Sequence, residues 1–235
     1  MSREFFRSLA REAAARYPAA DRFARHFAYG KTTGDPVYEY ILAQALIGDG
    51  GVFLDVGCGQ GLTAALLEVA HERHGRGDWP AAWPAPARPA AIRGIDLSGK
   101  DIARARAATP RHEWIVGDMC ATSFGRARTI LVLDVLHYVE DAKQDQVLDR
   151  IAQALEPGGQ AIIRVADANG SLRYHVTLWA DRLMCVVRGQ RVHVMHTRPL
   201  GAWIEALARR GLAAEPVPMS EGTPFTNVLL RARPR

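Results

Sequence analysis

Three features of this chain could do chemistry: a glycine-rich turn behind an apolar strand, acidic residues closing successive strands, and a histidine–tyrosine pair after the fourth. The segment VFLDVGCGQGLTAALL, residues 52–67, ends an apolar run in Asp55 and Val56, turns through Gly57, Cys58, Gly59 and Gly61, and opens a helix. Glycines at alternate positions let the backbone turn tightly and approach a ligand without a Cβ collision. A nicotinamide-binding turn of the GxGxxG type would need glycine at position 62, where this chain has Leu62. A nucleotide-dependent oxidoreductase is disfavoured on that ground. Asp96 in IRGIDLS ends the second run, and its two carboxylate oxygens can accept a pair of neighbouring hydroxyls. Asp118 in VGDMC ends the third, and the fourth, TILVLD, runs into VLHYVED with His137 and Tyr138. A histidine, with an unperturbed pKa of about 6.5, could take a proton from an attacking hydroxyl or carbon acid.

The elements that must position these residues can be read from the pattern. The 235 residues, 48% hydrophobic, suit one large α/β domain over residues 1–235 better than two small ones. Residues 1–48 read as a helical cap, with helix-like stretches at 3–16, 19–28 and 36–47, the last opened by Asp35 and Pro36. Strand-like runs at 51–56, 91–96, 112–117, 128–134 and 160–166 then alternate with helical segments, the signature of a parallel sheet wrapped by helices. Between the first two runs lies HGRGDWPAAWPAPARPA, residues 74–90, whose repeated prolines forbid a continuous helix or an interior strand. Trp79 and Trp83 there either pin a long loop to the body or offer a partner-binding patch. Residues 168–198 form an insert with a helix followed by a strand-like RVHVMH. Residues 199–235 supply a last helix and two strand-like runs joined by SEGTP.

In the form hhDhGCGxG, where h is apolar, the turn resembles the first motif of the class I S-adenosylmethionine methyltransferases, and the later runs follow the family order over residues 51–167. The resemblance implies an α/β fold: a Rossmann-like, seven-stranded methyltransferase sheet, mostly parallel with an antiparallel last strand. Helices would cover both faces, with an N-terminal helical cap and a lid insert after strand five. It implies S-adenosylmethionine as cofactor and S-adenosylhomocysteine as product. Asp55 would help hold the cofactor's amino group, Gly57, Cys58, Gly59 and Gly61 would lie along its methionine half, and Asp96 would take the ribose hydroxyls. Leu97 and Met119 would wall the adenine, with Gly117 and Asp118 at its edge. Asp134, Val135 and Leu136 would lie beside the methyl, and Tyr29 or Lys31 could meet the carboxylate. Capping a helix or turn is the competing role for Asp96 and Asp118, a loop between cap helices the competing reading of residues 29–38, and packing that of His137 and Tyr138. The separation of 35 residues between Gly61 and Asp96 exceeds the roughly 20 of a compact βαβ unit, and the Pro/Ala loop accounts for the surplus.

The net charge of +5 is spread over scattered arginines without a dense basic block, which speaks against nucleic acid. No run of eighteen apolar residues and no secretory leader pattern is found, so the chain is read as cytoplasmic and not membrane-bound. The cysteines at 58, 120 and 185 form no CxxC pair and suggest neither zinc nor disulfides, and no metal site is expected. A small-molecule or acyl-carrier-bound acceptor is expected, with an acyl carrier protein as the matching partner. YGK..GDPV, the Pro/Trp loop, DVLHYV and PMSEGTPFTNVLL are similar to methyltransferases of bacterial aryl-polyene-like pigment clusters, which implies a hydroxylated aromatic acceptor in secondary metabolism, methylated on oxygen or carbon. Arg173, Tyr174, His175, Trp179, His193 and His196 of the insert, and the loop 220–225, are the substrate-side candidates. A non-catalytic cofactor-binding subunit is the competing non-enzyme reading. The sequence leaves the oligomeric state open, with the cap and the Trp loop as surfaces for a homodimer.

Overall fold

The computed structural model describes residues 2–187, 195–219 and 225–235. Seven strands form a sheet in the order β3-β2-β1-β4-β5-β7-β6, and the chain divides into two compact units, Met1–Ser123 and Phe124–Arg235.

The first unit opens with α1 (Ser2–Ala15) and α2 (Arg22–Gly34). Phe6, Leu9, Ala10, Ala13 and Ala14 recur three and four residues apart and are all buried, so α1 presents one apolar stripe. Asp21 caps α2 by accepting from the Ala24 amide. The helix expected over 19–28 runs on to Gly34, so residues 29–34 are helix rather than loop. The Thr32 and Thr33 hydroxyls donate back to the carbonyls of Ala28 and Tyr29 within it. Asp35 alone separates α2 from α3 (Pro36–Ala43), accepting from Val37 N with Pro36 in the first turn.

Next come β1 (Val52–Val56), α4 (Leu62–Gly75), β2 (Ala91–Asp96), α5 (Gly99–Ala108) and β3 (Glu113–Val116). β2 pairs in parallel with β1 on one side and β3 on the other, placing Asp55 opposite Gly94. The Pro/Ala loop is pinned to the body. Phe5 of α1 meets Trp79 and Trp83 edge-on at 5.6 and 5.7 Å, and Trp79 Nε1 donates to the Pro84 carbonyl.

The second unit holds β4 (Ala127–Leu133), α6 (Asp141–Ala154), β5 (Leu155–Ala166), α7 (Leu172–Val187), α8 (Leu200–Ala208), β6 (Leu212–Pro218) and β7 (Asn227–Pro234). β4 and β5 are parallel, and β7 runs antiparallel to both β5 and β6, as expected of the last strand. β5 starts at Leu155, five residues before the expected Gln160, because the PGG turn forms an irregularity inside the strand. Gly158 has φ +71°, and a Cβ on Gly159 would fall 2.6 Å from the Arg128 carbonyl oxygen. The expected helix of the insert is α7. Four residues of its strand-like run (191–194), His193 among them, and residues 220–224 lie outside the described residues.

Candidate functional site

In the first unit the glycine turn is stitched to the end of β2. Gly57 N and Cys58 N both donate to Ile95 O, at 2.8 and 3.1 Å, and Gly59 N donates to Asp96 Oδ2 at 2.8 Å. Gly57, Gly59 and Gly61 have φ of 73°, 54° and 77°, a region that side chains with a Cβ enter only under strain. Gly61 has a second reason to be glycine. The buried Trp114 ring of β3 lies behind the turn, so a Cβ on Gly61 would fall 2.7 Å from it and one on Gly94 2.3 Å from it. Trp114 is fixed in turn by its Nε1, which donates to Thr109 O.

The two strand-end carboxylates differ in environment. Asp55 is buried, and desolvation pushes its pKa from the ordinary 3.8 to about 7, with Asp96 adding like-charge repulsion and a Thr63 side-chain hydrogen bond opposing. Burial likewise pushes the Cys58 thiol up, so it behaves as a small apolar side chain. Asp96 is half-buried and holds two amides: Gly59 N on one oxygen and Ser98 N on the other. The helix-cap role weighed for Asp96 falls to Ser98, whose hydroxyl accepts from Asp101 N at the start of α5. A carboxylate oxygen accepts more than one hydrogen bond, so these contacts are compatible with ribose hydroxyls.

Leu97 is 75% exposed and Val116 51% exposed at the ends of β2 and β3, apolar surface of the kind a flat ring would cover. Gly117 N donates to Asp96 O, and a Cβ there would fall 2.3 Å from Thr122 Oγ1. Asp118 is exposed and does cap a turn, its Oδ1 accepting from Cys120 N. Met119 is half-buried beside it. Tyr29 lies on α2 with the Arg11 guanidinium over its ring, and the Lys31 ammonium pairs with Asp35 at 2.8 Å.

The residues present fit an S-adenosylmethionine-like group. A buried carboxyl held near neutrality is stabilised in its charged form by an ammonium, the Cβ-free turn admits close backbone approach, and exposed apolar residues flank Asp96. A cleft of about 470 Å³ lies elsewhere in this unit, among the starts of β2 and β3 and the second half of α4. Its Glu68 is already engaged by Arg16, Arg111 and His112.

In the second unit Asp134 follows β4 with φ +56°, an uncommon conformation for a non-glycine residue. The buried Arg164 of β5 grips both its oxygens, with Nε 2.8 Å from Oδ1 and a second nitrogen on Oδ2. Such a bidentate pair fixes the carboxylate's direction as well as its charge. Val135 leads into a 3-10 turn, Leu136–Tyr138, in which the buried His137 ring lies 4.2 Å from that of Tyr138. Gln144 of α6 clamps this turn by donating to the carbonyls of Leu136, Val139 and His196. His196 N donates to His137 O, so the far end of the insert is tied to the turn. Arg173, His175 and Trp179 are exposed on α7, while Tyr174 bonds Thr197. Sequence reasoning passed over Thr63, Trp114, Gln144 and Arg164. Trp114 and Arg164 act through partners 20 or more positions away, and the partners of Thr63 and Gln144, eight and five to 52 positions away, follow no helix or strand period.

A family model described as "Methyltransferase domain" matches residues 12–215. None of the curated proteins matches the sequence. Among solved structures, magnesium protoporphyrin IX methyltransferase of Synechocystis PCC 6803, with bound SAH, is 16% identical with a TM-score of 0.59, over 99% of this chain and 98% of that one. The pyocyanin biosynthetic protein PhzM is 18% identical with a TM-score of 0.61, over 92% of this chain and 59% of that one. The mitomycin 7-O-methyltransferase MmcR is 18% identical with a TM-score of 0.58, over 92% and 59%. The chain thus spans about three fifths of the length of PhzM and MmcR. With a family model over most of its length, the chain belongs to the methyltransferase-domain family, as a class I S-adenosylmethionine-dependent member.

Proposed function

We propose that this protein transfers the methyl group of S-adenosylmethionine to a hydroxylated aromatic small molecule, free or carried on an acyl carrier protein, in secondary metabolism. The observation that carries the cofactor half is the glycine turn held between a buried Asp55 and a half-buried Asp96. Asp55 takes the amino group, Asp96 the ribose hydroxyls, and Leu97, Met119 and Asp118 the adenine. When bound, the cofactor supplies a methyl already activated by its sulfonium, so the protein has chiefly to align the acceptor and exclude water. Asp134, Val135 and Leu136 are assigned to the methyl side. His137 is assigned the acceptor's proton, which must leave if a phenol or carbon acid is methylated.

The acceptor class rests on different support. α7 exposes Leu172, Val176, Trp179, Leu183 and Val186, spaced four and three residues apart along one face, which suits an apolar or aromatic acceptor. Two structures that the chain resembles carry small-molecule names: a pyocyanin biosynthetic protein and a mitomycin 7-O-methyltransferase. The aryl-polyene-like sequence features point the same way. Among the described residues no helix is long and apolar enough to cross a membrane.

The test is transfer of radiolabel from methyl-labelled S-adenosylmethionine to hydroxybenzoate-type acids, offered free and as acyl-carrier thioesters. Label in the organic product supports the reading, and its position separates oxygen from carbon methylation. Cofactor binding without transfer to either form would refute the acceptor class.

A further inference from the structure

The glycine turn touches the helical cap as well as β2. Tyr17, in the elbow between α1 and α2, donates its hydroxyl to the Gln60 carbonyl at 2.8 Å, and Gln60 Nε2 donates to the Ala24 carbonyl at 2.9 Å. Tyr17 is 1% exposed and Gln60 2%, so water does not readily replace either bond. Burial raises the Tyr17 phenol far above its ordinary range, which keeps it a hydrogen-bond donor. The elbow has further fastenings away from the turn. Arg16 pairs with Glu68 and Glu72, Arg104 holds Asp21, and Arg73 holds Glu12 and Ser8.

A turn built on three glycines in the left-handed region has little stiffness of its own, because glycine has the most backbone freedom to lose. It takes its shape from its neighbours. β2 holds Gly57, Cys58 and Gly59, and the cap holds Gln60, the residue between the second and third glycines. We propose that Tyr17 and Gln60 are positioning residues that lock the cofactor turn to the elbow of the helical cap, so that order in the elbow and affinity for the cofactor are coupled through this contact. The ligand half rests on the reading of the turn as the S-adenosylmethionine site. Coupling between two parts of a molecule is reciprocal: whatever the cap contributes to cofactor binding, cofactor binding returns to the cap.

The experiment compares wild type, Tyr17→Phe and Arg73→Met by calorimetric titration with S-adenosylhomocysteine and by amide hydrogen exchange with and without it. Arg73→Met removes the fastening of Ser8 and Glu12 in α1 and leaves the Tyr17–Gln60 contact in place. Tyr17→Phe is expected to weaken S-adenosylhomocysteine binding roughly threefold to tenfold, the range of one lost buried hydrogen bond. Arg73→Met is expected to lower stability with affinity unchanged. In wild type the ligand slows exchange of α1 and α2 amides, and in Tyr17→Phe this protection shrinks by the factor lost in affinity. Unaltered affinity in Tyr17→Phe, or an equal loss in Arg73→Met, overturns the proposal. If wild type binds no S-adenosylhomocysteine, the cofactor reading fails by itself. Exchange at Gly59 and Gly61 without ligand then decides the locking: faster in Tyr17→Phe supports it, and unchanged rates overturn it.

Discussion

Replacing Asp55 by asparagine should make the protein more stable and a worse cofactor binder at the same time. Burial lifts the Asp55 carboxyl from 3.8 to about 7. In the unfolded chain it ionises at the lower value. Between the two, unfolding releases a proton, so this group's contribution to stability is fully present below about pH 4 and declines as pH rises to 7. The loss levels off above pH 7. At about 1.4 kcal/mol for each pH unit of that gap, wild type forfeits about 1 to 2 kcal/mol at pH 5 and about 4 kcal/mol at pH 8. Asp55→Asn has the same shape and no proton to lose, so its advantage over wild type should grow by about 2 to 3 kcal/mol between those pH values. Urea denaturation of both proteins at pH 5 and pH 8, without cofactor, measures this. With S-adenosylhomocysteine at pH 8 that advantage should shrink, because a charge-assisted hydrogen bond to the ammonium, worth about 1.5 to 3 kcal/mol, is gone. Wild-type affinity should also fall about tenfold per pH unit below 7, since binding then requires the carboxyl to give up its proton. An equal stability difference at pH 5 and pH 8 would refute the burial argument, and a pH-independent affinity would separate Asp55 from the ammonium.

Other substitutions probe the rest of the site. Asp96→Ala removes the acceptor of Gly59 N along with the proposed ribose contact, and cofactor affinity by titration should fall at least tenfold, the equivalent of about 1.5 kcal/mol or more. Gly94→Ala drives a methyl into the Trp114 ring and toward Cys58 Sγ and should cost about 1 to 3 kcal/mol in chemical denaturation, with most of that cost gone when the substitution is made in a Trp114→Leu background and compared with Trp114→Leu alone. An undiminished cost of Gly94→Ala in the Trp114→Leu background would show that the clash is not with the indole. His137→Ala should lower kcat by a hundredfold or more with cofactor affinity nearly intact if the imidazole takes the acceptor's proton. Comparable losses in both would mark it as packing.

Much of this protein is determined by local sequence. The Asp55–Gly61 turn declares itself because an apolar run, an acidic residue and alternating glycines are all short-range features, and the same is true of the strand ends at Asp96 and Asp118. Asp35 and Pro36 mark the start of α3 for the same reason, since capping is a contact with the next few residues. The end of α2 was less legible. Gly30 and Gly34 look like stops, yet the threonine hydroxyls bond within the helix and Gly30 meets no neighbour that a Cβ would strike. The wedge of Trp114 behind Gly61 and Gly94, the bolt from Tyr17 to Gln60 and the grip of Arg164 on Asp134 were decided only by tertiary structure. Each joins residues 20 to 53 positions apart, and their spacing in the chain follows from loop lengths rather than from any period of helix or strand. The ionisation of Asp55 belongs with them, because the letter Asp carries an ordinary pKa and only burial beside a second carboxylate moves it.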